Sequence, residues 1–428
     1  MKFFATTLVL VGALATSAFA QVENKLGIGH DHKKSCASHD NYQRMLNEDP
    51  TFRANQANLE RKTSEFTTNN SLTADLAVTT TIRIPVVVHV IYNTAQQNIS
   101  DAQIQSQIAV LNKDFRKLNA DINKVPSEFS GRAADTNIEF YLATTDPSGR
   151  PTTGITRKSS TKSSWGTRDA CKKSKQGGVD PWNTAKYLNL WICNIGGGIL
   201  GYAQFPGGTA STDGVVIGPE YFGSSDYGTN FFLARPYDKG RTATHEVGHW
   251  MNLRHIWGDA TCGNDFVADT PAATSANYGC PTYPKVGCSN NMMTMNYMDY
   301  TDDACMYMFT TGQRDRMRAI FAAGGARASF AVGAARNEIE LTANNNIELY
   351  PNPTTGVSTL KLNLTNETSS VSVNVIDAMG RVVYSYENRG ALGTSIEHDL
   401  NLSTFNRGIY FVNVVTDNMR EVKKLVVQ

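Results

Sequence analysis

Charged residues are scarce in this chain, and neither sign is in excess. Lysine and arginine number 40, aspartate and glutamate 39, and together they form only 18% of the 428 residues, with a formal net charge of +1. Proteins that bind nucleic acids or anionic membrane surfaces concentrate positive charge. The charge balance therefore indicates no nucleic-acid partner. Few charges combined with abundant Asn, Thr, Ser and Gly are typical of an extracellular protein.

Long hydrophobic runs are also missing. The apolar stretch at residues 7–15 is too short to span a bilayer, and no later segment is long enough. This stretch follows Lys2 and precedes the small-residue sequence Ala18-Phe19-Ala20. The pattern predicts a signal peptide over residues 1–20 that is cut after Ala20 and no transmembrane segment in the secreted chain. An uncleaved membrane anchor is the alternative.

Cysteines number seven, which is an odd count in a chain expected to pass through an oxidising compartment. Cys36 stands alone near the start of the secreted chain and is the natural unpaired residue. The others form a separate pair and a cluster of four: Cys171 and Cys193; Cys262, Cys280, Cys288 and Cys305.

The chain reads as a series of segments of different composition. Residues 21–80 are polar, with one helix-forming stretch at 58–62, and are interpreted as a pro-segment. A β-branched strand at 82–92 is followed by a helix that Ser100 and Gln103 cap, with Ile104, Ile108, Leu111, Phe115 and Leu118 on one face. Further strands are predicted at 138–143, 187–195 and 213–218. This order predicts an α/β domain with one mixed sheet over residues 81–325.

The amino-acid composition changes twice more in the rest of the chain. An irregular, cysteine-rich stretch extends to about Cys305, and Thr310 or Thr311 then caps a helix with Met317 on its apolar side. Residues 326–346 are rich in Ala, Gly and Asn and predict a linker. From residue 347, short strands at 371–376, 381–384, 409–415 and 422–427 predict a small all-β sandwich up to residue 428.

A metal-binding pattern lies at residues 245–255, which read His-Glu-Val-Gly-His-Trp-Met-Asn-Leu-Arg-His. On a helix, His245 and His249 lie on the same face one turn apart, so both imidazoles can bind one zinc ion. Glu246 is then placed to act as general base on a water molecule. Catalytic zinc needs a third protein ligand, and His255 can supply it if the chain turns sharply after the helix. The alternative is an ordinary amphipathic helix.

The sequence Asn296-Tyr297-Met298-Asp299-Tyr300 completes a resemblance to the pappalysin (cytophagalysin) family of metzincins, over about residues 80–325. Gly240-Arg241-Thr242-Ala243-Thr244, Asp269-Thr270-Pro271 and Thr301-Asp302-Asp303-Ala304-Cys305 extend it. The resemblance implies an α/β metzincin catalytic domain with a mixed twisted sheet, an active-site helix and an irregular disulfide-rich lower subdomain. Metzincins usually carry Gly where this chain has Asn252; Asn is the non-glycine residue best suited to the left-handed turn required there.

By this resemblance the enzyme hydrolyses peptide bonds within proteins. Met298 would form an apolar floor under the zinc site, and Tyr300 would stabilise the tetrahedral intermediate; simple core packing is the alternative for both. The segment after Met298 would line the pocket for the residue just beyond the scissile bond. Its acids, Asp299, Asp302 and Asp303, would select Arg or Lys there. They are alternatively solvated or bind calcium.

Calcium and disulfides are further implications of the resemblance. Asp265, Asp269 and Thr270 offer hard oxygen ligands in an irregular loop, as calcium sites need. The four clustered cysteines allow three pairings. The family order implies Cys262–Cys288 and Cys280–Cys305, and elimination leaves Cys171–Cys193.

Cys36 suggests that the enzyme is made as an inactive precursor. A thiolate binds zinc well, and Lys33 and Lys34 beside it would favour that form. Cys36 would occupy the open coordination position in a zymogen, as in related precursors, and self-cleavage before Arg61, Lys62 or Arg83 would then release the pro-segment. His30, His32 and His39 could bind metal loosely, and an unused thiol is the alternative.

The C-terminal segment carries three strand-and-turn sequences: Ile347-Glu348-Leu349-Tyr350-Pro351-Asn352-Pro353, Asp377-Ala378-Met379-Gly380-Arg381 and Arg407-Gly408-Ile409-Tyr410. With the ending Lys423-Lys424-Leu425-Val426-Val427 they resemble the sorting domain of the type IX secretion system. The implied partner is the type IX translocon, and the implied route leads through the periplasm of a Gram-negative bacterium to the medium or the cell surface. A carbohydrate-binding module is the competitor, although the segment has no Trp for sugar stacking.

Two rival functions remain from the sequence. A non-catalytic surface adhesin could keep the metzincin shell as a scaffold, although all the catalytic residues are present. A zinc hydrolase acting on a non-peptide bond would use the same ligands.

Overall fold

A computed structural model describes residues 36–70, 81–330, 346–364, 367–377, 381–390, 392–416 and 420–428. Its α-helices are α1 Ser38–Glu48, α2 Pro50–Asn70, α3 Asp101–Phe115, α4 Ser127–Ser130, α5 Arg241–Trp250 and α6 Thr311–Ala319. Its first strands are β1 Ile82–Tyr92, β2 Ile138–Leu142, β3 Ile155–Ser159, β4 Leu188–Ile192, β5 Gly201–Ala203, β6 Val215–Ile217, β7 Val286–Gly287 and β8 Asn290–Asn291. The C-terminal strands are β9 Asn346–Tyr350, β10 Val357–Asn363, β11 Ser370–Ile376, β12 Val382–Arg389, β13 Ser395–Asn401, β14 Gly408–Thr416 and β15 Arg420–Val427.

A six-stranded mixed sheet forms the centre of the first domain. Strand β1 pairs in parallel with β2, β3 and β4, and β4 pairs in parallel with β6. Only β5 runs antiparallel, beside β6, and it forms one edge of the sheet. The interior of β1 is buried on both faces, which its run of β-branched residues favours. The predicted mixed sheet is therefore confirmed.

Helix α3 packs on the sheet and against α5. Ser100 accepts the N–H of Gln103 as predicted, but the Gln103 amide donates to the carbonyls of Pro219 and Phe222 instead of completing a capping box. The predicted apolar face is buried except for Leu118, which lies beyond the helix and is 68% exposed. The prediction was wrong there because the helix ends at Phe115, so helical spacing no longer places Leu118 on the core side.

The N-terminal segment, residues 36–70, consists of α1 and α2 and contacts the first domain. A small apolar cluster joins its residues Tyr42, Met45 and Phe52 to Phe205. The helix predicted at 58–62 is confirmed within the longer α2. This segment has no sheet of its own and buries its apolar side chains against the neighbouring domain.

The C-terminal domain is all antiparallel β. One sheet has the order β13-β10-β9 and the other β12-β11-β14-β15. Alternate residues of both sheets enter one apolar core, as expected for a sandwich of two half-solvated sheets. The predicted all-β sandwich is confirmed, and β9, β10 and β13 complete the strands recognised in the sequence.

Some predictions fall at or beyond the edges of the described residues. The signal peptide, Lys33, Lys34, His30, His32 and most of the linker lie outside them. The linker was predicted to begin at 326, yet Phe330 is buried in the core and Arg327 forms a buried two-pronged ion pair with Asp213. Within the described part of the chain, no helix is both long and apolar enough to cross a membrane.

Candidate zinc centre

Helix α5 carries three of the predicted site residues, and all its residues are buried. Its start is fixed by Asp303, whose Oδ2 accepts the N–H groups of Lys239 and Arg241 at 3.0 Å. A carboxylate at this helix end also complements the helix dipole. Its end is fixed by Asn252, which has the left-handed backbone predicted for it, with φ of 73°. This turn brings His255 back towards the helix.

The three histidine rings converge on one point. Nε2 of His249 lies 3.1 Å from Nε2 of His245 and 3.1 Å from Nε2 of His255. Burial, followed by the neighbouring His255, holds the pKa of His249 well below its usual range, so this ring is neutral. A cation between three nitrogen atoms this close would offset the repulsion of their lone pairs.

Each Nδ1 atom faces a fixed acceptor. That of His245 donates to the carbonyl of Tyr297 at 2.7 Å, and that of His249 to the carbonyl of Leu253 at 2.8 Å. Nδ1 of His255 lies 2.5 Å from Oδ1 of Asp259. Since each Nδ1 carries the proton, each Nε2 presents a lone pair to the common point. The donor set therefore fits zinc, with one further position open.

Cys36 lies at that open position. Its Sγ and the three histidine nitrogen atoms all lie within 4.8 Å of one another. The thiol also lies 3.4 Å from Oε2 of Glu246. Burial and the charge of Glu246 raise the pKa of Cys36 well above its usual value. The described surroundings therefore favour the thiol, and only a bound metal would favour the thiolate.

Glu246 is buried next to the histidines and is occupied by the N-terminal segment. Its Oε2 accepts the hydroxyl of Ser38 at 2.7 Å. The same hydroxyl accepts the N–H of Ala203 on the edge strand β5, also at 2.7 Å. The backbone of Ala37 donates to the carbonyl of Gly201 at 3.1 Å, next to the bridge between Cys36 and Gly201. Residues 36–38 thus lie along β5 and across the site.

Met298 lies directly against α5. A Cβ atom at Gly248 would stand 2.6 Å from Sδ of Met298, so any other residue at this position would have to displace the Met298 side chain. Met298 is fully buried, and its carbonyl accepts the N–H of Ile256, the residue after His255. The loop that carries Met298 therefore contacts both α5, which holds His245 and His249, and the segment that holds His255.

Tyr300 borders the histidines on another side. Its ring centroid lies 4.9 Å from that of His255 and 5.6 Å from that of His245. Its hydroxyl donates to the carbonyl of Cys36 at 3.3 Å. Burial raises the pKa of Tyr300 far above its usual range, so the phenol keeps its proton and acts as a donor.

The three aspartates after Met298 occupy different environments. The carboxylate of Asp299 is buried and accepts from the backbone and amide of Asn277 and from the backbone of Tyr300. Asp299 therefore fixes the neighbouring loop, which the sequence did not predict. Asp303 is buried at the start of α5, and Asp302 is partly exposed.

The predicted calcium ligands do not form one group. Asp265 Oδ2 accepts the hydroxyl of Thr270 at 2.7 Å, and that hydroxyl lies 2.8 Å from the carbonyl of Val267. Asp269 instead accepts from Thr310 and Gly312 at the start of α6. Burial raises the pKa of Asp265 to about 6.

The cysteines agree with the prediction in two of three pairs. Cys262–Cys288 and Cys280–Cys305 are disulfides with Cα separations of 5.8 and 5.5 Å. The predicted Cys171–Cys193 disulfide is wrong in this structure, where both are free buried thiols. They pack with Trp165, Trp191 and Tyr202 in an apolar cluster, where Sγ of Cys171 also lies 3.8 Å from the hydroxyl of Tyr202.

Sequence reasoning missed the residues that support the ligands. Asp259 also accepts from Nδ1 of His39, at 2.9 Å. The indole of Trp257 stacks on His255 with centroids 4.3 Å apart and planes 5° apart. A search for an acceptor near each predicted ligand would have flagged Asp259, four residues after His255. Nothing in the sequence indicates Ser38 as a partner of Glu246.

Comparison with known proteins agrees with this geometry. Residues 172–322 match the peptidase family described as "Pregnancy-associated plasma protein-A", and residues 348–428 match a "Secretion system C-terminal sorting domain". An extracellular metalloprotease of Colletotrichum graminicola is 32% identical over 74% of this chain and 97% of its own length.

Two solved structures are similar to this chain over more than half of its length. A promirolysin mutant from Tannerella forsythia is 46% identical, with a TM-score of 0.64, over 71% of this chain and 99% of that one. Mature mirolysin of the same organism, in complex with a cleaved peptide, is 51% identical, with a TM-score of 0.58, over 60% and 98%. The chain belongs to the pappalysin family of metzincins and is a secreted zinc metalloendopeptidase.

Proposed function

We propose that His245, His249 and His255 hold the catalytic zinc and that Glu246 is the general base. The observation that carries this proposal is the convergence of three Nε2 atoms whose Nδ1 atoms are all held by acceptors. Zinc in such a site lowers the pKa of water and polarises a carbonyl group. It is the metal that the family requires, and the histidine set fits it.

The remaining chemistry belongs to side chains of this chain. Glu246, released from Ser38, takes a proton from the attacking water and delivers it to the leaving amine. Tyr300, released from the carbonyl of Cys36, donates a hydrogen bond to the substrate carbonyl oxygen as negative charge develops there. Met298 keeps the floor of the site apolar and in contact with α5.

Latency is the second part of the proposal. Residues 36–38 place a thiol at the open metal position, a hydroxyl on Glu246 and a carbonyl on Tyr300. All three catalytic groups are therefore occupied at once, and no substrate carbonyl can reach them. Cleavage that releases residues 36–70 would make the site accessible. The similarity to promirolysin, whose name marks a precursor, supports this assignment.

The proposed specificity is for Arg or Lys just after the scissile bond. Asp303 is buried and held in place by two backbone N–H groups, so it is a rigid source of negative charge beyond Met298. Asp302 adds a partly exposed charge. Asp299 is assigned to loop support, since its oxygens already bind Asn277 and Tyr300.

Calcium is proposed at Asp265, the carbonyl of Val267 and the hydroxyl of Thr270. These three oxygens converge in an irregular loop, and burial raises the pKa of Asp265 despite the neighbouring charge of Arg316, so a bound cation would further stabilise the carboxylate. Asp269 is not part of this set, because it holds the start of α6.

The C-terminal sandwich is proposed to direct export through the type IX translocon, from the periplasm of a Gram-negative bacterium. The support is the match of residues 348–428 to a secretion-system sorting domain. Fusion of residues 347–428 to a periplasmic reporter should export the reporter in a host with this system. Periplasmic retention of the fusion would contradict the proposal.

Peptide-library cleavage by the activated full chain tests the catalytic proposal. We expect cuts before Arg or Lys, abolished by a zinc chelator and by Glu246→Ala, and unaffected by Glu220→Gln, a partly buried carboxyl on another loop. Cleavage before aliphatic residues would contradict the basic specificity alone. Absence of chelator-sensitive cleavage would favour the adhesin alternative.

A further inference from the structure

A surface beside the histidine cluster combines two arginines with two phenylalanines beneath the N-terminal segment. It consists of Arg254, Arg316, Phe205 and Phe266 and is called here the arginine–phenylalanine surface. The guanidinium carbons of Arg254 and Arg316 lie 5.1 and 5.5 Å from the ring centroid of Phe266. The surface adjoins the metal site, since the ring centroid of Phe205 lies 5.4 Å from that of His249, and Arg254 directly precedes His255.

The N-terminal segment shows what chemistry this surface accepts. Both carboxylate oxygens of Glu60 bind Arg316, at 2.6 and 2.8 Å, and Oε1 also lies 3.8 Å from Arg254. The hydroxyl of Tyr42 accepts from Arg254 at 2.9 Å. A fork of two N–H groups on a planar carboxylate is the strongest and most selective arrangement available to arginine.

Contacts within the first domain hold both guanidinium groups: a hydrogen bond holds Arg316, and the rings of Phe205 and Phe266 lie 6.0 and 5.1 Å from the guanidinium carbon of Arg254. Nε of Arg316 donates to the carbonyl of Asn252 at 2.8 Å, and the Arg316 side chain is 3% exposed. Nε of Arg254 has no hydrogen-bond partner within the described part of the chain. Asp265 acts on Arg316 only as a neighbouring charge. When Glu60 departs, two positioned guanidinium groups therefore lose their carboxylate partner.

We propose that in the activated enzyme this surface binds an acidic side chain of the peptide substrate, in the place that Glu60 leaves. The proposal rests on the proposed release of residues 36–70. The surface lies beside the metal site, so the acidic residue would stand at a fixed number of positions from the scissile bond. The enzyme would then select two features of a substrate, a basic residue after the cut and an acidic residue at this second position.

Paired peptides test the proposal. The full chain is activated and freed of its cut N-terminal segment by gel filtration. One reference cleavage sequence is then varied with a single Glu or Gln at each of several positions on both sides of the bond. We expect kcat/KM for Glu to exceed that for Gln by about 10-fold at one position, the usual effect of a charged hydrogen bond.

Variants assign that preference to the surface. Arg254→Gln and Arg316→Lys should each reduce the Glu-to-Gln ratio at that position, with Arg316→Lys losing the fork but keeping the charge. Arg150→Gln, in an exposed loop, should keep the ratio. If the reference peptide is still cut, a Glu-to-Gln ratio near one at every position overturns the inference. A ratio that stays unchanged in both arginine variants also overturns it. Failure of the activated protein to cut the reference peptide overturns the proposed function itself.

Discussion

The hydroxyl of Ser38 bridges Oε2 of Glu246 and the N–H of Ala203, with both distances at 2.7 Å. One small side chain therefore links the proposed catalytic base to the sheet edge along which a peptide would be held. Because the Ser38 contact satisfies a buried carboxylate, its loss should weaken the closed state more than the loss of an exposed hydroxyl would.

Ser38→Ala should accelerate self-processing of the purified precursor. A hydrogen bond to a charged group stabilises by about 1.5–3 kcal/mol, so an increase of roughly 10-fold in rate is expected. Gel electrophoresis over time measures the rate. Ser64→Ala, on the exposed side of α2, is the matched control and should process like the wild type. Equal rates for Ser38→Ala and wild type would show that the contact does not contribute to latency.

Cys36→Ala should have a larger effect than Ser38→Ala, because it removes the fourth candidate ligand from the open metal position. The precursor should process itself early, during expression or on addition of zinc. Cys193→Ala, which removes another buried thiol far along the sequence, should leave latency intact. A Cys36→Ala precursor that remains as stable as the wild type would rule out the proposed thiol switch.

Asp259→Asn should weaken zinc binding without abolishing it. The carboxylate orients His255 through Nδ1, and loss of such an outer partner typically lowers metal affinity by about 10- to 100-fold. Competition with a chelator of known affinity, followed by metal analysis, measures this change. Asp101→Asn, which removes an exposed carboxylate, should retain the wild-type affinity. Equal affinity in both variants would mean that the ring is fixed by other contacts, such as stacking on Trp257.

Gly248→Ala should destabilise the fold through Met298. The added methyl group would lie 2.6 Å from Sδ of Met298, and forced overpacking of this kind costs about 1–3 kcal/mol. Met298→Ala added to Gly248→Ala removes the clash, so the double variant should unfold at a higher denaturant concentration than the sum of the single effects predicts. Additive losses in the free energy of unfolding would show that the clash is relieved elsewhere.

The sequence predicted the ligands well because their geometry is local. Four-residue helical spacing set His245 and His249 on one face, and the left-handed preference of Asn252 set the turn that returns His255. Strand β1 was equally clear, since β-branched residues occupy seven of its eleven positions. These features depend on neighbours within a few residues and are therefore readable without the fold.

The residues that sequence reasoning missed act across long separations. Ser38 lies 208 residues from Glu246, and Glu60 lies 256 residues from Arg316. No periodicity or spacing rule connects such pairs, because the fold brings them together. The Cys171–Cys193 disulfide was predicted by elimination alone, and in this structure both residues are free thiols packed in an apolar cluster. The predicted burial of Leu118 was wrong because helical periodicity does not indicate where a helix ends.

Latency should depend on pH through His39, whose Nδ1 lies 2.9 Å from Oδ2 of Asp259. The hydrogen bond to Asp259 raises the pKa of His39 above its usual value, with Asp40 assisting and Arg254 opposing. Release of the segment would return the pKa of His39 to about 6.5, the value of an unperturbed histidine. Protonation therefore favours the closed state: its contribution is complete below that value and is lost as the pH rises through the raised pKa.

The ratio of self-processing rates in His39→Gln and wild type isolates this contribution, because the pH dependence of the enzyme itself cancels. A partly exposed ion pair is weak, so the ratio should be roughly 2- to 5-fold at pH 6 and approach one at pH 8.5. His398→Gln, in the C-terminal sandwich, should give a ratio near one at both pH values. A ratio for His39→Gln that rises with pH would reverse the sign and show that neutral His39 is the form that holds the segment closed.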